Sequence, residues 1–144
     1  VGALASMPVQ SAYIMSKHAV LAYSECLRLE VMAKGLPVDV SVIVPGPVST
    51  RIFADAPGVG DAVSEFHRAA MLAMIESNGI APEAAAERIL AQIAAGQFWV
   101  STHPELTRQY AADRASYLSR LDAPALSEEL AATLGVVSER RRPG

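Results

Sequence analysis

Tyr13 and Lys17 stand four residues apart in Tyr13-Ile14-Met15-Ser16-Lys17. On a helix, that spacing sets both side chains on one face, about a turn from each other. An ammonium beside a phenol favours the phenolate and draws its ordinary value of about 10 towards neutrality. The result is a base that can take a proton from an alcohol or return one to a carbonyl. The same pair also suits the edge of an amphipathic helix carrying a solvated charge. Its surroundings therefore decide between the two.

Positioning such a pair needs a helix, and the pattern from Ser11 to about Lys34 provides one. Ala12, Met15, Ala19, Leu21, Ala22, Cys26, Leu27, Leu29 and Val31 recur at three- and four-residue spacings. Gly35-Leu36-Pro37 ends the run, with Gly suited to a left-handed cap and Pro unable to continue. Apolar residues occupy more than one face, which predicts one side on a sheet and the other against a partner helix, such as one of a second subunit. Val38 to Val44 is β-branched at Val38, Val40, Val42, Ile43 and Val44 and predicts a strand ending at Pro45-Gly46. In an open parallel sheet, ligands bind beyond the carboxyl ends of the strands. Pro45 to Thr50 would lie there, with Gly46 letting the backbone approach a flat ring and Pro45 holding the turn; Pro-Gly is equally a plain turn signal.

The run Ser11-Ala12-Tyr13-Ile14-Met15-Ser16-Lys17-His18-Ala19-Val20 resembles the active-site helix of the short-chain dehydrogenase/reductase family, whose signature is Tyr-x-x-x-Lys. Pro45-Gly46-Pro47-Val48-Ser49-Thr50 is similar to that family's Pro-Gly-x-Val-x-Thr segment, and the two motifs stand in family order with a strand between them. The resemblance covers roughly residues 1 to 102. It implies part of a Rossmann-like, doubly wound parallel α/β sheet. It also implies NAD or NADP as cofactor and interconversion of a secondary alcohol and a ketone. Tyr13 would be the acid/base. Lys17 would favour the phenolate and hold the nicotinamide ribose. Pro45, Gly46, Val48 and Thr50 would line the nicotinamide, with Val48 and Thr50 bonding its carboxamide.

The departures matter too. No Gly-rich strand-to-helix turn for a pyrophosphate is present, since the glycines near Gly58 and Gly60 follow no strand. Ser6 and Ser11 lie too close to Tyr13 to be the family's catalytic Ser. The expectation is a carboxyl-terminal half that lacks the N-terminal dinucleotide-binding strands, begins just past that Ser, and is inactive and poorly folded or self-associating alone. NAD and NADP are not distinguished by the residues present. A catalytically silent module that serves only assembly is the alternative, and nicotinamide fluorescence would separate the two. A Ser–His hydrolase ranks far lower: no Gly-x-Ser-x-Gly elbow occurs, and Ser101 with His103 is too local for a triad.

Composition narrows the rest. The 144 residues are 51% hydrophobic and 19% charged, enough for one domain with a core and unlike a disordered chain. A net charge of -3 argues against nucleic acid, and Arg140-Arg141-Arg142 reads as a solvated tail. No apolar run approaches a membrane span. Cys26 is the sole cysteine, which excludes an intrachain disulfide and points to a reducing, cytoplasmic setting. Its place in the apolar helical pattern predicts a buried small side chain.

Residues 51–81 read as a lid insertion. Asp61 to Asn78 forms an amphipathic helix closed by Gly79, whose Phe66, Met71, Leu72 and Met74 suit a small apolar alcohol or ketone and equally suit ordinary core. His67, among charged neighbours, reads as a surface residue. Pro82 to Ala95 predicts a helix, with Ile89, Leu90 and Ile93 as its buried stripe, and Phe98 to Ser101 a strand completing a parallel crossover. Residues 103–144 read as a helical tail, with Tyr110, Tyr117 and Leu118 on one face and a short helix near Ser127 to Leu134.

Overall fold

The fold is seen in a computed structural model that describes residues 1–55, 60–126 and 128–133. Gly58 and the Arg140–Arg142 run lie outside the described residues. The elements run α1 (Ser11–Ala33), β1 (Val42–Val44), α2 (Ala62–Asn78), α3 (Pro82–Ala94), β2 (Trp99–Ser101), α4 (Pro104–Arg120) and α5 (Glu128–Thr133). This is an α/β arrangement whose small sheet is parallel, β1 beside β2, with Val42 opposite Trp99 and Val44 opposite Ser101.

Local chemistry explains the helix ends. Gly35 follows α1 at φ 61°, its N–H donating to the Met32 carbonyl while Leu36 N–H donates to that of Val31. Gly96 closes α3 the same way, through Ile93 and Gln92. Both glycines take the left-handed cap that a side chain would strain. Pro82 and Pro104 open α3 and α4, where a missing N–H loses nothing. Asp61 caps α2 by accepting from Ser64 N–H at 2.9 Å.

The strand over 38–44 is shorter than its composition predicts. Val38 is 55% exposed, and pairing begins only where Ser41 Oγ donates to the Gln97 carbonyl and Val42 N–H to that of Phe98. β-branched side chains favour extended backbone but supply no partner strand. Cover over the sheet is also incomplete. Val42 and Val44 are buried, yet Trp99 on the same face is 43% exposed; Val100 is fully buried, yet Ile43 beside it is 46% exposed. Burying Val100 contributes about 1.5–3 kcal/mol.

From α3, the Gln92 amide bonds both the N–H and the carbonyl of Ser101, at 3.0 and 2.9 Å, and Arg88 donates to the Thr102 carbonyl at 2.8 Å. These side chains satisfy backbone that a third strand would otherwise satisfy. Of the stripe predicted for α3, Ile89 is half-buried while Leu90 and Ile93 are exposed, and the covered residue of the helix is Ala85 instead.

α1 carries far more apolar surface than the fold covers. Val31 is its buried residue, whereas Met15, Val20, Tyr23, Leu29 and Met32 are exposed. Cys26, expected inside, is exposed as well.

Candidate active site

Tyr13 and Lys17 meet on the first two turns of α1. The Lys17 ammonium stands over the Tyr13 ring, 5.2 Å from its centroid. That is a cation–π contact, and it keeps positive charge beside the phenol. Tyr13 is half exposed, and its hydroxyl has no hydrogen-bond partner among the described residues. Gly2 makes room for the ring, since a Cβ there would lie 2.9 Å from Tyr13 Cε1 and 3.6 Å from Lys17 Cγ. The neighbouring Val1 nitrogen donates to the Pro45 carbonyl at 2.8 Å, which joins this corner to the loop after β1.

The loop from Pro45 to Thr50 is fixed from its other side. Val48 bridges Ile80 in parallel, with Ser49 N–H donating to the Ile80 carbonyl and Ile80 N–H to that of Pro47. In such a bridge, the N–H and carbonyl of Val48 itself point away from Ile80. Thr50 is exposed two residues further on, its N–H donating to the Val48 carbonyl. At Gly46, the space a Cβ would take is filled by the ring of His103, at 2.5 Å from Nδ1 and 2.7 Å from Cγ. The flat group against Gly46 is thus an imidazole from the start of α4. Sequence reasoning found Gly46 and weighed His103 only beside Ser101, because nothing in the order of residues joins 46 to 103.

Comparison with known proteins bears on this corner of the molecule. The sequence model of the short chain dehydrogenase family matches residues 1–58, the stretch that holds Tyr13, Lys17 and Pro45 to Thr50. Residues 1–58 are thus similar to the short-chain dehydrogenase family. Over 51 residues the chain is 51% identical to dehydrogenase/reductase SDR family member 7B of Danio rerio, covering 35% of this chain and 16% of that protein. With the Rattus norvegicus protein of the same name the identity is 43%, over 35% of this chain and 15% of that protein. The match thus spans about a sixth of these relatives' length. No solved structure matches the chain.

Short-chain dehydrogenases are oxidoreductases that typically use a nicotinamide dinucleotide, and the residues here fit the nicotinamide end of one. An exposed phenol, an adjacent ammonium, an outward-turned Val48 amide and the Thr50 side chain offer donors to ribose hydroxyls and a carboxamide. Ser101 and His103 make no Ser–His pair of the hydrolytic kind, as Ser101 Oγ bonds Thr107 Oγ1 at 2.7 Å and accepts from the His103 backbone N–H. No helix of the described residues is long and apolar enough to cross a membrane.

His67 overturns its sequence reading. It is only 6% exposed, and its Nε2 lies 2.6 Å from the Gln10 amide nitrogen. Gln10 holds the N-cap position of α1 without capping it, its side chain being engaged by α2 instead. Charged neighbours along α2 suggested solvent; the tertiary contact put the ring inside. Burial holds the His67 imidazole below its ordinary value. A depressed imidazole gives its full stabilisation above its unfolded value, and loses it as pH falls below that value. Asp61 stays charged throughout, since hydrogen bonds from Ser64 hold its carboxyl below the usual carboxylate value. Acidification from about pH 8 to about pH 5, across the ordinary imidazole value, is therefore expected to lower the amide-exchange protection factors in α2, after correction for the intrinsic pH dependence of exchange, and His67→Gln to flatten that change. Unchanged protection factors in the parent protein would remove His67 as the link.

Proposed function

We propose that this chain supplies the acid/base and nicotinamide-facing part of an NAD- or NADP-dependent short-chain dehydrogenase/reductase that interconverts a secondary alcohol and a ketone. The observation that carries the reading is the Lys17 ammonium held over the Tyr13 ring on α1, at a corner joined to Pro45 through Val1. When bound, the nicotinamide ring supplies hydride exchange at carbon. Tyr13 takes the hydroxyl proton of the alcohol in oxidation and returns it to the carbonyl oxygen in reduction. Lys17 stabilises the phenolate between these events and offers donors to ribose hydroxyls. Pro45 and Gly46 hold the lip, and Val48 and Thr50 orient the carboxamide.

α2 follows the lip and presents Phe66, Met71, Leu72 and Met74, which suits a small apolar substrate. The exposed apolar residues of α1 support assembly through the Ser11–Lys34 segment as a homo-oligomer.

Titration of the full-length protein with NADH and with NADPH, followed by nicotinamide fluorescence, tests the reading. Saturable enhancement with one of them is expected. Absence with both would leave the silent assembly module as the better account.

A further inference from the structure

We propose that His103 is a positioning residue for the lip, clamping Gly46 from the start of α4. The clamp has two parts. The first is shape: a side chain at 46 would fall 2.5 Å from His103 Nδ1 and 2.9 Å from its Cβ, so the imidazole leaves room at 46 for glycine alone. The second is a hydrogen-bond chain through a fully buried hydroxyl. Gly46 N–H donates to Thr102 Oγ1 at 2.9 Å, and Thr102 Oγ1 lies 2.9 Å from His103 Nδ1. A buried threonine that already accepts from Gly46 keeps its own proton satisfied by donating to Nδ1. His103 therefore accepts at Nδ1, and its Nε2 is buried without a partner among the described residues.

That orphan nitrogen argues against a purely stabilising role. A buried polar atom with no partner weakens a fold, and an apolar ring would pack without that penalty. Such a ring would lose the acceptor that orients Thr102, and with it the Gly46 amide.

The anchor behind the ring is firm. Arg88 holds the Thr102 carbonyl, His103 N–H donates to Ser101 Oγ at 3.1 Å, and the His103 carbonyl accepts Thr107 N–H in the first turn of α4. At Gly46 the lip is thereby held by the end of β2 and the head of α4.

What the lip is for rests on the dehydrogenase reading; the clamp itself does not. The test is a mutant cycle in the full-length protein, with nicotinamide affinity by fluorescence and Tm both measured. His103→Ala is expected to weaken cofactor affinity about tenfold, the worth of one well-placed hydrogen bond. His103→Asn, which can accept from Thr102 through Oδ1, should recover most of that. Gly46→Ala should weaken affinity at least as much and lower Tm, and adding His103→Ala to it should restore part of both, because the contacts with Nδ1 and Cγ are removed while the one with Cβ remains. Parental affinity in His103→Ala, or additive losses in the double variant, would overturn the clamp. If the parent binds neither dinucleotide, the dehydrogenase reading fails, and the Tm coupling between 46 and 103 alone decides the clamp: restoration supports it, additivity refutes it.

Discussion

Tyr13→Phe in the full-length protein is expected to lower kcat by about 10²–10⁴-fold, the usual contribution of a positioned acid/base. Affinity for the nicotinamide cofactor should stay within about threefold, because less than one hydrogen bond's worth of binding is at stake. The structure makes this substitution clean. The ring's contacts are with Gly2 and with the Lys17 ammonium, and phenylalanine keeps both. The hydroxyl that is lost has no partner among the described residues, so its removal strands no buried group, and Tm should scarcely move. Steady-state kinetics with a panel of small apolar alcohols and ketones, beside a fluorescence titration, separates chemistry from binding. Turnover equal to the parent's would remove Tyr13 as the acid/base, and with it the reading of α1 as a catalytic helix. A parallel fall in affinity and Tm would show a packing role instead.

What the sequence made legible follows from the range of the forces involved. The bounds of α1, the left-handed Gly35 and Gly96, and the proline starts of α3 and α4 are settled within a few residues, and each is where short-range chemistry predicts. The parallel pairing of the two strands followed from a helical crossover between them. The misreadings all turn on contacts between distant residues. Val38 to Ser41 has the composition of a strand and no strand beside it. Cys26 sits in an apolar pattern and is nevertheless exposed. His67 is buried by Gln10, 57 positions away, and Gly46 is matched to His103 in the same manner. The Tyr13–Lys17 contact was readable because helix geometry alone brings i and i+4 together. The link from that corner to Pro45 was not, since it runs through Val1 and Gly2.

The 144-residue chain expressed alone is expected to self-associate and to lack a monomeric, cooperative unfolding transition. A sheet of two three-residue strands is too small to be stable by its own pairing, and each face leaves a large side chain, Trp99 or Ile43, uncovered. α1 adds Met15, Val20, Tyr23, Leu29 and Met32 to the exposed apolar surface, more than a monomeric domain ordinarily shows. A well-packed domain of this length would unfold with about 100 kcal/mol, from roughly 0.7 kcal/mol per residue. Calorimetry of the isolated chain should give well under half of that, and sedimentation should show species heavier than one chain. Tyr23→Lys with Leu29→Lys, which charge the open face of α1, should shift the distribution towards monomer without sharpening the transition, because the sheet remains incomplete. A monomer that melts in one sharp step, with calorimetric and van't Hoff enthalpies equal, would mean that the exposed faces of α1 and the sheet need no partner at all.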